Sequence, residues 1–325
     1  MRVARERLPQ DRAEWHGFLR DYFCDKDAIA SEFNGDIHLS LQWPSDPDRH
    51  VDPRLGAGLK WWGEGVTLGS MWSARRRDDR VLTSLYDTWT LLSWSEWLTR
   101  VTPETASAAV ILHVDDHRDM GSPRLLVRGS SLVDAITEDE VSVMDPISVQ
   151  RAIESGAIGM GSFMTPFLRE FPNALVRHLC QPPKMQVDVE KRLGVSRTRD
   201  TLLNPDADRI SVELAANAVG GGVYVGTSDV GVWSQDIQGR PALVHIDMDY
   251  FNNRYDGDSA WQLRTSRLDP DLPTMLSKVD EIIDALAASR AVIEDVAIAY
   301  SPGFFPAEYW QPVDRHLRAG LARIL

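Results

Sequence analysis

Cysteine is scarce in this sequence, since its 325 residues include only Cys24 and Cys180. Neither lies in a C-x-x-C motif, and two cysteines cannot build a disulfide framework, so we predict buried or incidental thiols.

Long apolar runs are also missing. No stretch approaches the roughly 18 residues that a membrane helix needs, and the N-terminus is charged. We therefore predict a cytoplasmic protein without a membrane partner.

Positive charge is in deficit as well. The chain has 35 Lys and Arg residues against 48 Asp and Glu residues, which gives a net charge of −13. Its one conspicuous basic run, residues 75–77, is followed at once by Asp78 and Asp79. An acidic chain repels phosphate backbones at long range, so we exclude nucleic acid as a partner.

The length of 325 residues and the hydrophobic content of 43% are sufficient for a large core. Residues 1–80 lack a regular pattern, because they include several tryptophans and a stretch rich in Pro, Asp and Gly that cannot be one helix. We expect residues 1–80 to be an N-terminal elaboration packed on a domain that spans residues 81–325.

From residue 81 onward, short apolar runs alternate with helical patterns. AVILHV (109–114) and ALVHID (242–247) are the strongest candidates for buried strands. Asp145 and Gly156 mark the start and the end of one helix, since these residue types cap helices. The alternation predicts an α/β fold with three layers, a parallel sheet covered by helices on both faces.

Acidic residues crowd the ends of the two strongest strands. The first continues into a D-x-H-x-D pattern at residues 115–119, and the second ends in D-x-D at residues 247–249. Ligands bind beyond the carboxyl ends of parallel strands, so the two patterns are expected to meet. Side chains alternate along a strand, which predicts that Asp116 and Arg118 point away from the other three residues of the first pattern.

Carboxylates gathered in a pocket need cations, because an unpaired buried carboxylate is costly. An oxygen-rich site with an imidazole suits Mn²⁺ or a similar divalent ion, and shared carboxylates suit a pair of ions. The alternative is that both patterns are capped loops or helix N-termini, where Asp is common.

The segments ILHVDDHRDM (111–120) and LVHIDMDYF (243–251) resemble the metal motifs of the arginase and histone-deacetylase fold, the ureohydrolase superfamily. The aromatic pair after D-x-D is similar to the peptide arginase branch, whose members convert arginine side chains of ribosomally made peptides to ornithine. The resemblance covers roughly residues 80–325. It implies an arginase/deacetylase-like fold, a manganese hydrolase that releases urea, and an arginine-containing precursor peptide as the substrate.

The resemblance also implies the ligands of two Mn²⁺ ions. Asp115 and Asp247 would bridge the ions, Asp119 would bind the first ion, and His117 and Asp249 would bind the second. Family members supply the remaining ligand of the first ion from a G-G-D-H-S segment, which this chain lacks.

Asp87 is the best substitute for that missing ligand, because it follows the preceding predicted strand. The alternative is that Asp87 caps a helix or a turn. The histidine that serves free-arginine arginases as a proton shuttle is also missing. His113 and His245 precede the two bridging aspartates by two residues, so we treat both as candidate catalytic residues that support the ligands, with packing as the alternative.

Two further segments are candidates for substrate contact. The Gly-rich segment 156–168 is predicted to lie over the metal pocket and to touch the substrate through Gly161, Ser162 and Phe163, although it could be an ordinary connection. Ser301 and Gly303 follow the last predicted strand near the site. The carboxylate with which family members meet the substrate's cation is absent there, and a candidate catalytic replacement lies nearby at Glu308.

Two rival functions remain open at this point. A deacetylase or other amidohydrolase of the same fold would use one Zn²⁺ and would leave Asp119 and Asp249 surplus. A non-catalytic binding protein would keep the fold with at most one structural ion. Loss of metal ligands would indicate that second rival, and only the position assigned to Asp87 is in doubt here.

Overall fold

A computed structural model of the chain describes residues 1–33, 35–45, 49–257, 260–263 and 269–325. The strands are β1 (Arg2–Val3), β2 (Asp27–Phe33), β3 (Asp36–Gln42), β4 (Arg75–Asp78), β5 (Val81–Ser84), β6 (Val110–Val114), β7 (Leu125–Arg128), β8 (Ser131–Asp134), β9 (Glu140–Val141), β10 (Leu175–Leu179), β11 (Val189–Arg199), β12 (Asp208–Ala215), β13 (Gly222–Thr227), β14 (Pro241–Asp247) and β15 (Val292–Ala299). The α-helices are α1 (Trp15–Phe23), α2 (Leu55–Trp62), α3 (Trp89–Leu98), α4 (Pro103–Ala108), α5 (Pro146–Ser155), α6 (Met164–Glu170), α7 (Val230–Ser234), α8 (Leu272–Ser289) and α9 (Trp310–Leu321).

Twelve strands form one mixed sheet in the order β4-β5-β15-β14-β6-β10-β13-β11-β12-β7-β8-β9. The six strands from β5 to β13 in this order run parallel. All other neighbours pair antiparallel. The predicted α/β class is therefore confirmed, but the expectation of a wholly parallel sheet is wrong. β7 to β9 and β11 to β12 follow one another through short connections, which suit antiparallel strands.

The first 80 residues divide between two hydrophobic clusters. β1, β3 and β2 form a separate antiparallel sheet, and α1 buries Leu19 and Phe23 in a cluster with Ile37 of that sheet. α2 instead buries Leu55 and Leu59 in the main core, and β4 pairs with β5 of the large sheet.

Local sequence explains where the helices begin and end. The Asp145 side chain accepts a hydrogen bond from the backbone N–H of Ile147, Pro146 lies in the first turn of α5, and Gly156 ends the helix with a φ of 88°. These bounds confirm the sequence-based prediction. The helix α8 begins in the same way after Asp271.

The central strands are buried, and the five residues of β6 are all inaccessible to solvent. The helix α3 packs against β15 and α5, while α7 packs against β10, β13 and α8. Among the helices in the described parts of the chain, none is long and apolar enough to cross a membrane.

Candidate metal centre

Three aspartates lie where parallel strands of the main sheet end. The strands β5, β15, β14 and β6 are neighbours in that order and run parallel, so their carboxyl ends share one edge of the sheet. Asp247 is the last residue of β14, Asp115 directly follows β6, and Asp87 lies three residues after β5.

Within the described residues, four groups of His and Asp side chains could hold a metal ion, each with its ligand atoms within 4.8 Å of one another. The groups are Asp87, Asp115 and Asp247; Asp115, His117 and Asp249; His113, Asp115, Asp119 and His245; and Asp116, His117 and Asp256. Asp115 belongs to three of the four groups. The structure therefore brings all six predicted metal ligands together, and Asp115 lies where the groups meet.

Short distances join the members of these groups. His117 Nδ1 lies 3.0 Å from Asp249 Oδ2 and 3.5 Å from Asp115 Oδ1. His113 Nε2 lies 3.6 Å from Asp115 Oδ2 and 3.7 Å from Asp119 Oδ2. Asp115 therefore directs one oxygen toward His117 and the other toward His113.

The chain leaves β6 earlier than the predicted side-chain alternation requires. β6 ends at Val114, and Asp119 has a positive φ of 52°, so the D-x-H-x-D residues form a turn. The backbone N–H of His117 donates a hydrogen bond of 2.6 Å to Asp115 Oδ1 and holds this turn. Arg118 lines the same cavity as His117 and Asp119, so the prediction that it points away is wrong.

Backbone and hydroxyl donors orient the D-x-D carboxylates. The backbone N–H of Asp249 donates to Asp247 Oδ1 over 3.1 Å, and the Ser301 hydroxyl donates to Asp247 Oδ2 over 2.5 Å. The backbone N–H of Asp116 donates to Asp249 Oδ1 over 3.2 Å. Ser301 thus acts on a predicted ligand, and the two motifs are linked directly.

Three oxygens of the acid cluster are buried without a hydrogen-bond partner in the described structure: Asp87 Oδ1, Asp115 Oδ2 and Asp119 Oδ2. Leaving a buried carboxylate unpaired costs several kcal/mol, so these oxygens need either a bound cation or a proton. An oxygen-rich donor set with one imidazole fits hard or borderline divalent ions. The residues present therefore fit a divalent metal ion.

Burial and mutual repulsion raise the pKa values of the cluster acids. Burial, followed by the charge of Asp249, raises the pKa of Asp115 to about 6. Burial and then the neighbouring carboxylates hold the pKa values of Asp87, Asp119 and Asp247 well above their usual value of 3.8. The acids favour protonation in the absence of a cation, and a bound cation favours their ionised forms.

His117 joins the acid cluster to a second polar network. While its Nδ1 faces Asp249, its Nε2 lies 3.1 Å from Asp256 Oδ1. Lys184 Nζ lies 2.7 Å from Asp116 Oδ2 and 3.1 Å from Asp256 Oδ1, so the fourth group already contains a cation. A carboxylate on the outer nitrogen of a ligating imidazole sets its orientation and tautomer. The sequence analysis did not identify Asp256 or Lys184, and no motif or spacing points to them.

The two candidate catalytic histidines lie behind the ligands. His113 and His245 face each other in register on β6 and β14, and their Nδ1 atoms are 2.9 Å apart. His113 Nε2 lies 2.9 Å from the backbone oxygen of His117. Burial lowers the pKa of His113 well below its usual value and that of His245 to about 3, so both rings are neutral. They support the ligand-bearing segments and do not line the cavity.

His178 extends this row of histidines on β10, in register with His113. Its Nδ1 lies 2.7 Å from the Tyr224 hydroxyl, and its Nε2 lies 3.0 Å from the backbone oxygen of Asp115. Both ring nitrogens are therefore partnered, as expected for a structural histidine.

A cavity of about 560 Å³ opens above the acid cluster. Its floor includes five of the predicted ligands: Asp87, His117, Asp119, Asp247 and Asp249. Gly161 and Ser301, two of the predicted substrate contacts, also line it. The sequence analysis did not identify the exposed Arg118 or the strand residues Val212 and Leu214 as part of this lining.

Two other predicted substrate contacts lie outside the cavity lining. Ser162 is buried, and its hydroxyl accepts a hydrogen bond of 3.1 Å from the backbone N–H of Gly159. Phe163 is fully buried, and its ring packs edge-on against His245 with centroids 5.1 Å apart. In the Gly-rich segment, Gly161 alone of the three predicted residues faces the cavity.

Gly303 and Glu308 are not brought to the cavity either. Gly303 has a φ of 89°, and a side chain there would meet the backbone oxygen of Arg49 at 3.2 Å. Glu308 forms an ion pair of 3.1 Å with Arg254. The structure therefore places no carboxylate from Glu308 against a substrate in the cavity.

Asp87 does not cap the helix that follows it, because no side-chain hydrogen bond caps α3. If two Mn²⁺ ions occupy the cluster, Asp87→Ala should lower the Mn²⁺ content from two ions to one per chain, since His117 and Asp249 would still be able to hold the second ion. Elemental analysis of protein equilibrated with Mn²⁺ and desalted measures this. Asp78→Ala, at an exposed carboxylate on β4, is the control. Unchanged stoichiometry in Asp87→Ala would place the missing ligand elsewhere.

Comparison of the sequence with protein-family models and with curated proteins finds no match in either case. Function must therefore be argued from the geometry and chemistry of the site. That site is a buried cluster of aspartates and histidines, lying beneath an open cavity.

Proposed function

We propose that the protein is a metal-dependent hydrolase that converts peptidyl-arginine to peptidyl-ornithine with release of urea. The observation that carries the proposal is the convergence of three potential ligand groups on Asp115, directly beneath a cavity of about 560 Å³. The resemblance of the two acidic motifs to those of peptide arginases supports the same reaction.

Two Mn²⁺ ions are proposed as the cofactor, and the ligands are those that the resemblance implies, with Asp87 as the substitute for the missing one. Asp115 and Asp247 would be shared, with Asp87 and Asp119 on the first ion and His117 and Asp249 on the second. When bound, such a pair of ions lowers the pKa of a water molecule and supplies Lewis-acid charge.

The residues of this chain supply charge balance and orientation. Five aspartates in the cluster carry a formal charge of −5 when ionised, and two divalent ions would offset nearly all of it. Asp119 and Asp249 line the cavity and can accept hydrogen bonds from a guanidinium group. Ser301 orients Asp247, and Asp256 orients His117.

The proposed reaction adds water to the guanidinium carbon. A carbon–oxygen bond forms, the bond between that carbon and the side-chain nitrogen breaks, and the nitrogen takes up both protons of the water and leaves as an ammonium group that carries the positive charge. The products are urea and the amine of ornithine, so no oxidant or other reactant is needed.

We predict that arginine within a peptide is a far better substrate than free arginine. A peptide gains remote contacts that position its guanidinium, and these contribute to the rate. The Mn²⁺-loaded enzyme is incubated with an arginine-containing nonapeptide and with free arginine. Urea is measured together with the mass loss of about 42 Da that one guanidine-to-amine conversion requires.

The same assay separates the rival functions. An otherwise identical peptide with acetyl-lysine in place of arginine tests the deacetylase alternative, and release of acetate alone would replace our proposal with it. If free arginine has an equal or better kcat/KM, the ureohydrolase reaction stands and the proposal of a peptide substrate is wrong. If neither urea nor acetate is released, the remaining alternative is a non-catalytic binding protein.

A further inference from the structure

The strand β12 is fully paired on one side and open along much of the other. It pairs with β11 over residues 208–215, whereas its pairing with β7 consists of Arg209 opposite Leu126. Beyond this point the chain of β7 turns away, because the backbone N–H of Arg124 donates to the backbone oxygen of Ala157 instead. The second half of β12 therefore has an edge with no paired strand, which we call the free edge, while α6 packs against β12.

The backbone direction along β12 follows from two hydrogen bonds. The backbone oxygen of Ala207 accepts from the N–H of Asp200, which lies at the end of β11, so odd-numbered residues face β11. Even-numbered residues face the other side. The backbone oxygen of Ile210 confirms this, since it accepts a hydrogen bond of 2.7 Å from the Ser122 hydroxyl.

Val212 and Leu214 therefore direct their backbone N–H and C=O groups to the free edge. In the described structure, neither residue forms a backbone hydrogen bond on that side. Both residues line the cavity above the acid cluster. The lining also includes Gly161, where an added Cβ would meet no atom within 4 Å. The cavity thus combines an unpaired strand edge with open space.

We infer that the substrate peptide binds as an extra strand on the free edge of β12, with its arginine side chain in the cavity. This inference rests on the proposed function. An unpaired strand edge is a template for an extended chain, and main-chain hydrogen bonds then provide affinity. The acids on the cavity floor, among them Asp119 and Asp249, are complementary to a cationic side chain. Free arginine has no flanking peptide groups to pair with Val212 and Leu214.

Strand addition has a signature that side-chain contacts lack, because only every second peptide N–H points toward the neighbouring strand. The probe is an N-acetylated, C-amidated nonapeptide with arginine at its centre and alanine elsewhere. Single backbone N-methylation removes one N–H without changing any side chain. We expect methylation at alternate positions near the arginine to raise Kd and KM by about tenfold, and methylation at the positions between them to change either by less than about threefold.

A pair of protein variants tests the same edge from the other side. Val212→Pro removes an N–H that faces away from β11, so the β11 ladder is kept, and proline is tolerated at such edges. Val212→Ala removes the side chain and keeps the N–H. We expect KM for the nonapeptide to rise about tenfold in Val212→Pro and less than about threefold in Val212→Ala.

Peptide binding is measured directly by fluorescence anisotropy as well as by urea release, so the two proposals fail separately. Urea release with no alternation among the N-methylated peptides would overturn strand addition and leave the hydrolase standing. If methylation has alternating effects on binding but no urea is released, strand addition is supported and the proposed hydrolase activity is wrong. The N-methylated peptides decide the question even if Val212→Pro fails to fold.

Discussion

Replacing Asp115 by asparagine is expected to abolish Mn²⁺ binding and to lower urea release to below about 0.1% of the wild-type rate. The side chain keeps its shape but loses the charge shared by three potential ligand groups. A thousandfold loss corresponds to about 4 kcal/mol of transition-state stabilisation. Elemental analysis and steady-state kinetics with an arginine peptide measure the two effects.

Asp295→Asn is the matched control, because Asp295 is a buried carboxylate on β15 that pairs with Arg77 outside the acid cluster. This variant should keep two Mn²⁺ ions and most of the activity, although it loses some stability. If Asp115→Asn retained the wild-type metal content, Asp115 could not be the shared ligand. If both variants lost metal equally, the loss would reflect damaged folding.

Metal removal is expected to make the contribution of Asp115 to the stability of the protein fall as the pH rises. The buried neutral His113 and His245 act in the opposite direction, because their pKa values are lowered in the folded chain. The pKa of Asp115 is about 6 in the folded chain and 3.8 in its ordinary state. Between these values the Asp115 carboxyl binds more protons in the folded state than in the unfolded state, so its contribution to the free energy of unfolding decreases with increasing pH. For Asp115 the decrease amounts to about 3 kcal/mol, at about 1.4 kcal/mol for each pKa unit.

Denaturant unfolding with a chelator, at pH values of about 4.5 and 7.5, measures this change. The free energy of unfolding of the wild type at the higher pH, relative to its value at the lower pH, should be less favourable than that of Asp115→Asn, which cannot ionise at this position. Adding Mn²⁺ at about a thousand times its Kd should raise the free energy of unfolding by about 4 kcal/mol at the higher pH. The gain should shrink at the lower pH, because the ligands must lose protons to bind the ion. Equal effects of Mn²⁺ at both pH values would argue against carboxylate ligands.

Much of the acid cluster could be predicted from the sequence. Continuous apolar runs such as 109–114 and 242–247 are typical of strands buried in a parallel sheet, and both became neighbouring strands. Because parallel strands end at one edge, the acids that follow these runs had to meet. Asp87 could be identified in the same way, from its position after a strand.

The argument from alternation, however, was wrong. It assumed that the strand continues to Asp119, whereas β6 ends at Val114 and the chain turns. Hydrogen bonds within the turn, and not the strand repeat, bring Asp115 and His117 together. A local turn is difficult to predict here, because its conformation depends on contacts with segments distant in sequence.

The residues of the cavity wall were even harder to predict from the sequence. β12 is polar and half-exposed, so Val212 and Leu214 stand out only once β12 pairs with β11 beside the metal centre. Ser162 and Phe163 were instead predicted to contact the substrate but lie outside the cavity lining. A Gly-rich segment is typical of a mobile, substrate-binding loop, yet packing against His245 buries Phe163.

The sequence by itself determined the α/β class, the caps of α5 at Asp145 and Gly156, and the gathering of acids at the strand ends. These features follow from local residue chemistry and from the rule that parallel strands share an edge. The tertiary structure alone decided that Asp256 and Lys184 flank His117 and that the edge of β12 is open beside the cavity. Such contacts join residues far apart in the chain, and their distances depend on how the intervening loops pack, which no local pattern encodes.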